Sequence, residues 1–198
     1  MYPFAAYADS LEPRIDHVVV GTATVQLRGE NNEVVGDARQ ANQAVQTAPA
    51  TLKVSFQVKD AFTQDIEEAI KSSIPTSFNF IIELSRVSQA WFDESAGRWE
   101  FKHTVRYDTL KEEYEIILGE KDGEVVRTKD LQDMKDVMTT GLNIILSTAT
   151  QLNPGDEYEL KIMAELKTVK LPFLFNYMFF FAKLWDYKTE WHVHRFVL

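Results

Sequence analysis

Between residues 98 and 107 the side chains alternate without a break. Trp99, Phe101, His103, Val105 and Tyr107 take one side, and Glu100, Lys102, Thr104 and Arg106 the other. A strand has a side-chain period of two, so this pattern predicts one face on a core and one in water. The same period recurs along the chain. Leu52, Val54, Phe56 and Val58 alternate, as do Phe78, Phe80, Ile82 and Leu84, where Ile81 points to burial on the second face as well. Tyr158, Leu160, Ile162, Ala164 and Leu166 oppose Glu159, Lys161, Glu165 and Lys167. Residues 14–27 read as a long strand with Val18, Val20, Thr22 and Thr24 facing away from Val19, Gly21, Ala23 and Val25. Residues 112–118 and 186–198 complete a set of about seven strands.

Turn chemistry separates these runs. Asp108-Thr109 reverses the chain, and Glu120-Lys121-Asp122-Gly123 supplies the positive-φ geometry of a hairpin turn. Asn153-Pro154-Gly155-Asp156 is a third turn. Two helices are expected. The first is capped by Asp60, presents Phe62, Ile66, Ala69 and Ile70, and stops before Ile74-Pro75 because a residue preceding proline resists the helical region. The second is capped by Thr128 or Asp130 and carries the stripe Leu131, Met134, Met138, Leu142 and Ile145, with Gly141 weakening its last turn. Without βαβ alternation, the class is α+β, mainly antiparallel, in one sheet or a β-sandwich.

A length of 198 residues suits one domain over residues 9–198, within which residues 28–48 form a polar insertion or hairpin. The net charge is −9, with 30 acidic residues against 21 basic ones, which argues against a nucleic-acid partner. The absence of cysteine removes disulfides and thiol chemistry from consideration. Ala6-Tyr7-Ala8, followed by Asp9-Ser10, is the small-x-small pattern that a signal peptidase cuts after, so residues 1–8 are read as the tail of an export signal cleaved near Ala8. The bland alternative is an accidental Ala-Tyr-Ala in a disordered terminus. Export implies a periplasmic or envelope location.

Residues 171–185 pack aromatic side chains more densely than a core requires. As a helix they would reach roughly 22 Å, short of the ~30 Å hydrocarbon core, so no membrane span is expected. A short C-terminal helix apolar nearly all round is either wrapped by the protein or exposes a patch. Phe175, Phe179, Phe180 and Trp185 are the candidate contact surface, on an envelope protein or a membrane surface.

No residues gather into a recognised catalytic, cofactor or metal motif: there is no GxSxG, P-loop, GxGxxG or HExxH. His192 and His194 share a face of the last strand but bring no third ligand at a known spacing. His103, between Phe101 and Val105, reads as a satisfied core or rim side chain, and Glu67-Glu68 and Glu112-Glu113 as solvated faces. The chain is therefore read as non-enzymatic, with no cofactor.

Several residues occur in a telling order: Glu67-Glu68-Ala69-Ile70, Ile74-Pro75, Phe78, Trp91-Phe92-Asp93, Val105-Arg106-Tyr107-Asp108-Thr109-Leu110 with Tyr114, Leu171-Pro172, Trp185 and Thr189-x-Trp191. In this the chain resembles the family called domain of unknown function 4390, small exported proteins of proteobacteria, over residues 14–191. The resemblance implies export to the bacterial envelope and hints at envelope signalling; it implies no reaction, cofactor or ligand. The insertion at residues 28–48 is longer than the family pattern. Taken together, these readings lead to an envelope binding or interaction module. The alternatives are a carrier of a small apolar or lipid-like ligand, held between sheet and helix and lined by Trp99, Phe101 and the C-terminal aromatic segment, and an enzyme whose site joins His103, His192 and a carboxylate.

Overall fold

A computed structural model describes residues 12–23, 51–88, 93–148, 150–168 and 187–198. Alternation becomes ten strands in two sheets. In chain order the elements are β1 (Arg14–Ala23), β2 (Thr51–Lys59), α1 (Gln64–Lys71), β3 (Thr76–Arg86), β4 (Glu94–Asp108) and β5 (Glu113–Leu118). A 3-10 turn (Gly119–Lys121) leads to β6 (Glu124–Thr128), α2 (Leu131–Thr139), β7 (Thr140–Ser147), β8 (Glu157–Thr168), β9 (Tyr187–Lys188) and β10 (His192–Val197). One sheet has the order β1-β2-β7 and the other β10-β8-β3-β4-β5-β6, with β9 also on β8. Every pairing is antiparallel. The class is thus α+β, as the patterns predict.

The two sheets share one core. Leu52, Val54, Phe56 and Val58 of β2 are buried in the same cluster as Phe78, Phe80, Ile82 and Leu84 of β3. The rings of Phe56 and Phe80 meet edge-on with centroids 5.3 Å apart. Both helices carry the chain from one sheet to the other. α1 joins β2 to β3, and α2 joins β6 to β7. Ile66, Ala69 and Ile70 of α1, and Met134 and Met138 of α2, enter the shared core. Glu67 and Lys135 form an ion pair between the helices, and the Lys135 ammonium stands 5.9 Å from the centre of the Phe62 ring.

Local chemistry explains the boundaries. Thr63, not Asp60, caps α1: its Oγ1 accepts from the Ile66 amide. Asp60 has a left-handed φ of 56° and pairs with Arg14 instead. Asp130 caps α2 by accepting from the Asp133 amide at 2.9 Å. That helix stops at Thr139, so the expected stripe ends at Met138, and Leu142 and Ile145 belong to β7. Gly141 lies where a Cβ would stand 2.5 Å from the Phe56 ring, so only glycine lets β7 close on β2 there. Asp108 accepts from the amides of Leu110 and Lys111 and closes the β4–β5 turn, across which the rings of Tyr107 and Tyr114 pack 4.8 Å apart. Asp122 and Gly123 take positive φ in the β5–β6 turn. The final strand is interrupted between β9 and β10, where Thr189 Oγ1 accepts from the Ala164 amide and the Thr189 amide donates to Ala164 O.

Candidate functional site

The two sheets turn very different faces outward. On the six-strand path, outward charged residues form direct cross-strand pairs, beside exposed Ile117, Val125, Val193 and Val197 on β5, β6 and β10. Glu83 faces Arg98, Glu159 faces Arg195, Glu165 faces Lys188, and Glu115 stands between Arg106 and Arg127. Opposite charges placed directly across strands support the ladder. Glu159 and Glu165 are about 4% exposed although they point outward, because lysine and arginine stems lie over them. The hydrogen bond from Lys161, then that from Arg195, holds the Glu159 carboxyl below its ordinary value; Lys167 and Lys188 do the same for Glu165. Ile81, buried yet outside the shared core, sits on this face opposite Met163 and Glu100.

Among the described residues, the outward face of the three-stranded sheet has no such cover. Val19, Leu142 and Ile145 are 64%, 55% and 60% exposed. They flank β2, whose Ser55 and Lys53 lie between them on the same face. Val19 stands opposite Ser55, Ile145 opposite Lys53, and Leu142 lies in the bulge of β7 that faces Ser55. The Asn143 amide donates to Ser55 Oγ there, with Asn143 at a φ of 56°. Among the described residues, β1 and β7 are both edge strands of this sheet, each leaving a row of backbone groups unpaired on its outer side.

A second arrangement lies inside. His103 is fully buried on β4. Its Nε2 is 2.9 Å from Glu120 Oε2, and its Nδ1 is 3.2 Å from the carbonyl of Met138. The chain reaches this geometry in three steps. His103 pairs with Leu118, the last residue of β5. Gly119 then passes so close to Lys102 that a Cβ would stand 2.7 Å from its carbonyl oxygen. The 3-10 turn this permits carries Glu120 back over the ring, and α2 arrives from the other side with one of its last carbonyls free to accept. Burial pushes the Glu120 carboxyl up, but the His103 hydrogen bond and charge outweigh it, and the net shift is downward. The rings of Phe80 and Phe101 pack at 5.0 and 5.8 Å.

The other expected residues fall apart in space. His192 and His194 lie on β10, opposite Ile162 and Leu160, with His194 stacked on Phe196. Three strand spacings, about 14 Å, separate β10 from β4, so His103 and His192 share no site. Glu67 pairs with Lys135 and Glu113 with Lys111 and Arg127, so neither is simply solvated. A cleft of about 230 Å³ opens beside Arg86, Glu94, Leu152 and Tyr158, where Arg86 is already engaged by Glu94 and Asp156. Phe175, Phe179, Phe180 and Trp185 lie outside the described residues, as do Trp91, Phe92, the expected signal remnant and the insertion at 28–48. Sequence reading identified His103 and its apolar surroundings but not Glu120, whose approach depends on the turn after β5.

The fold defines a class: an α+β domain of two antiparallel sheets joined by two crossover helices. The family model described as Domain of unknown function (DUF4390) matches residues 38–195, and the chain belongs to that family. The match begins within the polar insertion and later than the resemblance at residue 14. No curated protein and no solved structure matches the chain. Among the described residues, no helix is long and apolar enough to cross a membrane.

Proposed function

We propose that this chain is a non-enzymatic interaction module of the bacterial envelope, and that it docks an envelope protein on the outward face of the three-stranded sheet. The observation that carries the reading is the outward face of the three-stranded sheet, where Val19, Leu142 and Ile145 are each more than half exposed; the other sheet's outward face is crossed by ion pairs, with Ile117, Val125, Val193 and Val197 exposed on β5, β6 and β10. An apolar patch between two open strand edges suits a partner that adds both side-chain burial and main-chain hydrogen bonds. Between the two sheets, Phe56 and Phe80 meet edge-on with centroids 5.3 Å apart, which supports this reading over a carrier holding its guest at that point. Small-x-small residues Ala6-Tyr7-Ala8 support the location.

Site-specific photo-cross-linking in living cells tests the surface. A benzophenone side chain at Val19, Leu142 or Ile145 is expected to trap one defined envelope protein, and the same group at Glu100 or Arg98 to trap none. Equal labelling from both faces, or none from either, would refute the surface. Osmotic-shock fractionation of the tagged protein checks the location independently; recovery only with cytosolic markers would end the envelope reading.

A further inference from the structure

We propose that His103 and Glu120 form a buried imidazolium–carboxylate latch that ties the last turn of α2 to the six-strand sheet and opens when His103 loses a proton. A neutral imidazole has one N–H and one bare nitrogen. Here both ring nitrogens face acceptors: a carboxylate oxygen at 2.9 Å and a helix carbonyl at 3.2 Å. Only the doubly protonated ring donates to both. The end of a helix also carries partial negative charge, which favours a cation at the Met138 carbonyl. A buried charge is tolerable when it is paired and fully hydrogen-bonded, and no buried side-chain nitrogen or oxygen among the described residues lacks a partner.

The charged groups around the ring are few. The 3-10 turn brings Glu120, with Lys121 close enough to act on its charge. β3 presents Phe78 and Phe80, β5 presents Leu118, and α2 presents the Met138 carbonyl. On β4 itself Lys102 and Arg106 stand on the opposite face, where Arg106 pairs with Glu115. Among the described residues, Glu120 is the carboxylate that balances the imidazolium. Its depressed carboxyl pKa adds stability above the ordinary carboxylate range that is lost as pH falls through the folded value. At the other limit, loss of a ring proton leaves one nitrogen without a hydrogen, so one of the two bonds must break. The remaining hydrogen stays on Nε2, which faces the charged carboxylate at the shorter distance, so the bond that breaks is the one to the Met138 carbonyl, at the joint between α2 and β7, which begins at Thr140. The latch therefore governs how firmly the three-stranded sheet is held to its partner. Its physics holds wherever the protein works, so it stands or falls apart from the docking proposal.

Long-range proton–nitrogen NMR on the full chain reads the ring directly. With an acceptor facing each ring nitrogen, both nitrogens of His103 are expected to carry hydrogen at about pH 6. A single protonated nitrogen there would overturn the proposal. Amide exchange at Thr139, Thr140 and Gly141, corrected for intrinsic rates, is then compared at about pH 6 and about pH 9. Opening should rise about tenfold, the equilibrium effect of one hydrogen bond. In Glu120→Gln and His103→Gln that pH dependence should vanish. An unchanged opening equilibrium in the wild type, or the same rise in a folded Glu120→Gln, would overturn the switch. The wild-type measurements decide the matter even if a variant does not fold.

Discussion

Single residues set close approaches that no pattern of hydrophobicity announces. Gly119 is one. Its missing Cβ lets the turn after β5 lie on the Lys102 backbone, and backbone cannot swing aside as a long side chain would. Gly119→Ala should therefore cost about 1–3 kcal/mol, the range for forcing extra volume into a packed site, and should loosen the Glu120–His103 contact. Gly21 is the control: no atom lies within 4 Å of the place a Cβ would take, and its φ is unexceptional, so Gly21→Ala should leave stability unchanged or raise it by about 0.5 kcal/mol. Urea titrations of both variants check the pair; similar losses would show that the close contact at Gly119 does not matter. His103 teaches the same lesson. Its place on an apolar face was legible from alternation with Phe101 and Val105. Its partner was not, because Glu120 is 17 positions away and arrives only through the turn that Gly119 allows.

At the scale of elements, legibility follows the reason for burial. β2, β3, β4 and β8 were readable because each sets apolar side chains on the core face and mostly polar ones on the other, so the period of two is written into the sequence even where, as at Glu159 and Glu165, the outward residue is itself covered. The junction of α2 and β7 was not. Met134, Met138, Leu142 and Ile145 sit three or four apart, as a helix stripe would, yet the first two are buried in a helix and the last two exposed on a strand. Solvent-facing apolar residues carry a false period. Asp60 misled in a related way, since an acidic residue before a helix is a good cap only in extended backbone, and Asp60 is left-handed. The charged ladder yields a pH prediction. Glu159 and Glu165 have depressed carboxyl pKa values, so their contribution is present above the ordinary carboxylate value and is lost as pH falls through the folded one. Thermal melts should show the wild type losing stability below about pH 4.5, and the double variant Glu159→Gln/Glu165→Gln losing less over the same interval. Parallel acid limbs would assign that loss to other carboxylates.

Across the whole molecule, the two sheets hold together through a core contributed by both and through helices that cross between them. No βαβ unit enforces the arrangement. The chain leaves one sheet for the other after β2, returns after β6 and crosses again after β7; the first two crossings put a helix on the shared core, and the third runs through the turn before β8. Sequence alternation marked the strands of this arrangement but left open whether one sheet or two would form, because that choice is made by long-range pairing. The contact of Phe56 with Phe80 is where the choice becomes visible, one ring from each sheet meeting edge to face. Both rings are buried, and Gly141 leaves room for Phe56 from the side of β7. Phe56→Ala should cost about 3–5 kcal/mol, the range for removing a large buried ring. If the sheets fold as one cooperative unit, the loss appears equally in both. Native-state amide exchange should then show the slowest amides of β2 and of β3 losing protection by the same factor. A loss confined to β2 and β7, with β3 and β8 keeping their protection, would mean that the three-stranded sheet unfolds on its own, and that the shared core binds two units rather than making one.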